Sequence, residues 1–200
     1  MNGFKIIRLI AVGIAAACGL TSVMAVAPLP SGWYLEGNGG SSRVTNANYA
    51  PGSSLSSSGV GWNLNGGYKF IPFFAAEVGY TKYANSSSKI SGVKVATATY
   101  YSYDLAGRGL LPIGDTGAEL FAKLGIARLN SNVKATNAAV SNGVAVATGT
   151  NNATGYYFGL GADYSFMPRL AVNGQWQRAK GNSKTGNLDL YSLGVSYLFG

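Results

Sequence analysis

Charge is scarce in this chain, and several charged residues fall where only ion pairing could accommodate them. Glu77 sits in FFAAEVGY, Arg108 in DLAGRGLL, Lys123 in FAKLG and Asp163 in GLGADY, each among small apolar or aromatic residues. Two acids and two bases so placed can serve as partners to one another, because a charge withdrawn from water is tolerated only when it is paired and hydrogen-bonded. Lys69, in GYKFIPF, poses the same question. Other chemistries are short of parts. The chain has no histidine, which removes Ser-His-Asp triads, Asp-His pairs and ordinary zinc sites. The single cysteine, Cys18, lies near the start. GVGWNL and GLGADY begin like nucleotide-binding glycine loops but lack a third glycine and a following helix, and Ser183–Thr185 lacks the Gly-Lys of a phosphate loop. No cofactor, no metal and no enzymatic activity are expected.

The elements that would hold these charges read at period two. Either side of Pro72, Val60, Trp62, Leu64, Gly66, Tyr68 and Phe70 share one face, then Phe74, Ala76, Val78 and Tyr80 do, with Lys69 and Glu77 opposite. GWYLEGNGGSSRV from Gly32 sets Trp33, Leu35, Gly37 and Gly39 against Tyr34, Glu36 and Asn38. Further runs set Tyr101, Tyr103 and Leu105 against Asp104 and Arg108, and Leu120, Leu124 and Ile126 against Glu119, Phe121 and Lys123. Three more oppose Tyr156, Phe158 and Leu160 to Tyr157, Asp163 and Ser165, Val172 and Trp176 to Asn173 and Gln175, and Tyr191, Leu193 and Val195 to Ser192 and Ser196. Every mid-strand charge lies on the less apolar face. A Lys or Arg turned to mid-bilayer lipid costs about 2–4 kcal/mol, so a one-residue slip of register is strongly disfavoured. The fold expected is all-β, an eight-stranded antiparallel up-and-down transmembrane β-barrel with a lumen filled by side chains.

Composition agrees: 11% charged residues with 29 Gly and 13 Tyr suit a chain that faces lipid on one side. Residues 1–25 read as a secretory signal, with Lys5 and Arg8, an apolar run from Leu9 to Ala17, and SVMAVAP, cleaved after Ala25; residues 26–200 form the barrel. Short turns are expected at Ile71–Pro72, Pro112–Gly117 and Met167–Pro168, and long Ser/Asn/Gly-rich loops elsewhere. In outer-membrane barrels short turns face the periplasm. Trp33, Tyr68, Phe70, Phe74, Phe166 and Phe199 fall near that rim as an interfacial aromatic belt.

GYKFIPFFAAEVGY, RGLLPI, FAKLG, LGADYSFMP and the terminal SLGVSYLFG resemble, in order and spacing, the transmembrane domain of the OmpA family. The sequence ends at Gly200, so the resemblance is to the stand-alone small barrels, without the peptidoglycan-binding domain. What it implies for the interior is a charge cluster proposed to gate a narrow water path: Glu77, Arg108, Lys123 and Asp163 match its members, whereas Asn173 stands where the family has a seventh-strand arginine. The inward faces and similar distances from the short turns assemble the same four residues. Neighbouring strands would pair Glu77 with Arg108 and Lys123 with Asp163.

The remaining charge is one-signed. Without Lys5 and Arg8 the chain has 13 basic and 7 acidic residues, and nine bases map to the long-loop side, Arg43, Lys82, Arg128 and Arg178 at its rim, with Asp189 the lone acid there. Such a collar suits the phosphates of lipopolysaccharide. The expected protein is a monomeric, non-enzymatic outer-membrane barrel of a Gram-negative bacterium. Its role is structural, with exposed loops contacting lipopolysaccharide or external and host surface molecules, and nucleic acid is not a partner. The alternative is a narrow, low-conductance pore gated by the interior charges. A soluble ligand-carrying barrel would instead put its apolar face inside.

Overall fold

The computed structural model describes residues 31–45, 54–56, 58–90, 93–135, 148–183 and 185–199; the expected signal segment lies outside them. Ten strands follow one another: β1 (Gly32–Thr45), β2 (Ser54–Ser56), β3 (Ser58–Ile71), β4 (Phe74–Lys82), β5 (Ser86–Ile90), β6 (Val93–Pro112), β7 (Ala118–Ala135), β8 (Gly149–Met167), β9 (Leu170–Lys180) and β10 (Asn187–Phe199). Eight are staves of a closed antiparallel barrel, in the cyclic order β1, β3, β4, β6, β7, β8, β9, β10. The other two are short: β5 continues the β4 stave along β6, and β2 pairs with β5. Closure removes every edge from the ring, as an all-strand structure in hydrocarbon requires.

Side chains alternate as lipid outside and polar groups inside demand. Trp33, Leu35, Leu64, Leu105, Leu124, Leu160 and Val195 are exposed, while Glu36, Lys69, Glu77, Arg108, Lys123 and Asp163 are buried. The register is the one the period-two pattern predicts, and its one-residue alternative would turn those six charges to lipid. One turn differs. β3 runs through Ile71, and Pro72 and Phe73 form the two-residue reversal, with a register shift between Lys69 and Ile71. Pro72 has no N–H for the ladder, so pairing stops just before it. The other short turns are Ile113–Gly117, with Gly114 and Gly117 at φ 55 and 75, and Pro168–Arg169.

The lumen is layered along its axis. Tyr34, Ala75, Leu110, Phe121 and Leu198 pack together at the short-turn end. A larger apolar cluster, including Tyr83, Tyr100, Leu129, Val133, Tyr157, Leu188 and Leu190, fills the long-loop end. Between them lies a polar waist, where Asn38 donates to Asn63, Asn63 to Gln177 and Gln177 to Thr81, at 2.8, 2.8 and 2.9 Å. Outside, a chain of rings from Trp33 through Tyr68 and Phe70 to Phe74, with centroids 5.0–6.1 Å apart, marks the short-turn rim. Trp62, Tyr80, Tyr101 and Tyr103 form a second group nearer the other end, and Phe158, Trp176 and Tyr191 a third.

Candidate functional site

Glu36 is the hub of the waist. It stands at mid-strand on the inner face of β1 and is fully buried. Its Oε2 accepts from the Arg108 guanidinium at 2.7 Å. Its Oε1 accepts from Asn38 Nδ2 at 2.9 Å, Asn65 Nδ2 at 3.0 Å, Gln175 Nε2 at 3.2 Å and Lys123 Nζ at 3.3 Å. Glu77, reaching in from β4, lies 2.8 Å from Lys123 Nζ and 3.6 Å from Arg108, and its Oε2 accepts from the Tyr34 hydroxyl at 2.8 Å. Arg108 also donates to Asp163 Oδ2 at 2.5 Å, and its guanidinium lies 3.8 Å from the centre of the Phe121 ring. Two glycines admit the two rings: a Cβ on Gly67 would lie 2.4 Å from Tyr34 Cζ, and one on Gly161 would lie 2.3 Å from Phe121 Cζ.

The four residues singled out by pattern are thus all in the waist, and of the two expected pairs Glu77–Arg108 is present at 3.6 Å while Lys123–Asp163 is not. Lys123 engages Glu77 and Glu36, and Asp163 belongs to Arg108. The reason is register. Arg108 stands opposite Lys123 across β6 and β7, and Asp163 stands opposite Glu119 across β7 and β8. Like charges are neighbours on the wall, so each base reaches across the lumen. Sequence reasoning placed Glu36 on the inner face without assigning it to the cluster; the same mid-strand inward acid that flagged Glu77 would have found it. A separate pair, Lys69 with Glu119 at 2.8 Å, lies nearer the short turns. Beside it a cavity of about 30 Å³, bordered by Tyr34, Arg108, Asp163 and Ser196 among others, is large enough for a water.

Outside, the collar residues occupy four staves: Arg43 on β1, Lys82 on β4, Arg128 on β7 and Arg178 on β9. Arg43 and Arg128 are exposed. Lys82 Nζ sits 5.9 Å from the Tyr101 ring centre, and the Arg178 guanidinium 5.6 Å from that of Trp176. Arg178 is not free. Its Nε and a terminal nitrogen donate to the two oxygens of Asp189 at 2.7 and 2.9 Å, and Trp176 Nε1 adds a third donor at 3.2 Å. The seven acids of the chain are all accounted for: Glu36, Glu77, Asp104, Glu119 and Asp163 are buried in the lumen, Asp115 lies in a short turn, and Asp189 is held by Arg178.

A barrel lined by charge, belted by aromatics and closed on itself is an outer-membrane architecture, and a family model described as "Outer membrane protein beta-barrel domain" matches residues 13–199. The chain belongs to that family. It resides in the outer membrane of a Gram-negative bacterium. A curated relative, outer membrane protein P5 of Haemophilus influenzae, an OmpA-family protein, is 30% identical over 188 residues. That match covers 86% of this chain and 50% of P5, so the chain spans about half the relative's length. Among solved structures, OprG of Pseudomonas aeruginosa superposes with a TM-score of 0.64 at 14% identity, covering 87% of this chain and 99% of that one. Ail of Yersinia pestis gives 0.57 at 15%, covering 86% and 100%, and it has also been solved in complex with the heparin analogue sucrose octasulfate. At these identities the likeness concerns the fold.

Proposed function

We propose that the protein is a non-conducting, non-enzymatic surface barrel whose outer end binds polyanions, in the first place the phosphates of lipopolysaccharide. One observation carries this reading. Every acid of the chain is spent in the lumen, in a short turn or on Arg178, so Lys82 and Arg128 have no counter-charge of the chain's own at the outer end, and Arg43 faces only an Asp189 already held by Arg178. Two of the collar cations lie over aromatic rings, which holds charge at the level where lipid headgroups begin. Cations so placed attract phosphate oxygens through charge-assisted hydrogen bonds. The heparin analogue bound by Ail belongs to the same chemical class, a densely anionic sugar.

The layered lumen supports the closed reading over a pore. Apolar clusters at both ends bracket the waist, and an eight-stranded barrel has room only for its own side chains. Changing Lys82, Arg128 and Arg178 together to Gln is expected to weaken lipopolysaccharide binding by the refolded chain several-fold. The loss should be greater at low salt, where charges beyond about 10 Å still interact. Single-channel recording on the same refolded protein should show no steps. Unchanged binding at low salt would remove the collar's role, and resolved conductance steps would restore the pore.

A further inference from the structure

The lumen does not balance its own charge. Buried within it are five acids, Glu36, Glu77, Asp104, Glu119 and Asp163, against three bases, Lys69, Arg108 and Lys123. Lys69 serves Glu119, while Arg108 and Lys123 are shared among Glu36, Glu77 and Asp163. Asp104 has none of them. It is 6% exposed, and among the described residues neither of its oxygens accepts a hydrogen bond or meets a base in an ion pair.

A second unpartnered oxygen meets it. Asn65 on β3 and Asp104 on β6 both stand opposite Gly79 on the intervening β4. Without a side chain at 79, the two lean together: a Cβ there would lie 2.5 Å from Asn65 Oδ1 and 2.6 and 2.8 Å from the two Asp104 oxygens. All three are acceptors, and none has a donor. Flipping the amide does not resolve this, because Asn65 Nδ2 donates to Glu36 at 3.0 Å and the flip would set an oxygen against that carboxylate. The other ionisable groups interacting with Asp104 offer no relief. Glu77 on β4 repels it, and Lys123 on β7 is engaged by Glu36 and Glu77. Tyr83, which follows β4, shares its hydroxyl hydrogen bond with Ser102, and Tyr157 on β8 donates to Gln177. Arg108, two pleat repeats along β6, is committed to its three acids.

Converging buried acceptors without a donor require a positive charge or a hydrogen between them. We propose that Asp104 and Asn65 form a buried receptor for one positive charge that the chain does not supply, a proton or a small monovalent cation. Its occupancy couples the stability of the barrel to the medium, because anything that binds the folded form alone stabilises it.

The test uses the full chain refolded into phosphatidylcholine vesicles, with the denaturant midpoint followed in two titrations. One replaces a bulky organic cation by sodium or potassium at constant ionic strength. The other runs between about pH 5 and pH 9, a window that clears ordinary Asp titration near 3.9 at its lower end. The wild type should gain midpoint with sodium or potassium if the charge is a metal cation, and with acid if it is a proton; Asp104→Asn should lose that response. Asp115→Asn, in an exposed turn, is the control and should retain it. Infrared spectra supply a readout that does not depend on the variant's stability: a protonated carboxyl band, or a carboxylate band shifted by sodium, is expected in the wild type. Overturning results are an Asp104→Asn response identical to wild type, or a wild type that shows neither cation nor acid dependence and neither band, which would leave water alone as the partner of Asp104.

Discussion

Two arginine–carboxylate contacts of equal length, Arg108 with Glu36 and Arg178 with Asp189, lie on opposite sides of the same barrel wall at 2.7 Å. Their surroundings differ. Both inner side chains are sealed, 4% and 0% exposed, whereas Arg178 is 38% exposed on the outer face. Inside, water cannot replace a lost partner, so removing one group leaves the other with its full desolvation cost. Outside, water and salt stand ready on one side of the pair, and the contact contributes little. Equal geometry therefore predicts unequal consequences, and the inner contact also carries a network while the outer one carries a fork.

The largest effect is expected from Arg108→Ala. Glu36 and Glu77 would then share Lys123 alone and Asp163 would have no base, and losing one member of a buried pair costs about 3–5 kcal/mol. Arg108→Ala combined with Glu77→Ala should be less damaging than Arg108→Ala alone, since it removes one of the two acids left to compete for Lys123. Denaturant unfolding in bilayers, read as a double-mutant cycle, measures the difference. Simple additivity would mean that each waist charge is hydrated on its own, and the contrast with the outer pair would collapse.

A third arginine sharpens the contrast by entering the wall where no partner exists. Leu124 on β7 is 71% exposed on the lipid face, one residue along from Lys123, which is buried. Leu124→Arg should cost about 2–4 kcal/mol and reduce folding yield into bilayers. An unaffected yield would place Leu124 outside the hydrocarbon and break the assigned register.

Adjacent residues with opposite fates show what was legible in the sequence. Lys123 and Leu124 were sorted correctly because lipid imposes its demand on every second residue, and alternation is a local property of the chain. Which charges meet is not local. Strands in a closed barrel are tilted and staggered, so positions equally distant from their turns are not opposite one another. Lys123 therefore faces Gly159 across β8 rather than Asp163, and Asp163 is left to Arg108. Glu36 was legible as an inward mid-strand acid, but apart from Asn38 on its own strand its partners come from β3, β6, β7 and β9, and no spacing along β1 announces them. Glycines at 67, 79 and 161 were legible as strand residues but not as floors on which Tyr34, the Asn65–Asp104 pair and Phe121 rest.

That register also offers a repair. Asn173 stands opposite Asp163 across β8 and β9, and both of its side-chain polar atoms lack a hydrogen-bond partner. An arginine introduced there meets Asp163 before Glu77. Asn173→Arg should therefore return part of the stability lost in Arg108→Ala, a coupling within the range of about 0.5–3 kcal/mol typical of contacting residues. The rescue should vanish when Asp163→Asn is added and survive Glu77→Gln. The opposite pattern would show that the new base crosses the lumen, as a pairing with Glu77 requires.

The smallest change is expected at the outer pair. Arg178→Gln removes both arms of the fork on Asp189, but Trp176 Nε1 still donates to that carboxylate at 3.2 Å, and Arg43 stands opposite it in register on β1. Asp189 is 3% exposed beneath Arg178, and removing the arginine opens that carboxylate to water, so the loss should fall toward the range of about 0.2–1 kcal/mol found for exposed ion pairs. Salt should shrink it further, because screening reaches exposed charges and not those of the waist. Arg178→Lys should recover only part of the loss, since an ammonium cannot reproduce two parallel donors to one carboxylate. Arg108→Lys and Arg178→Lys unfolded side by side, with and without added salt, give the most direct reading of the comparison: a salt-insensitive loss of several kcal/mol at position 178 would mean that lipid, rather than water, surrounds the outer pair, and that the two faces of the wall are electrostatically alike.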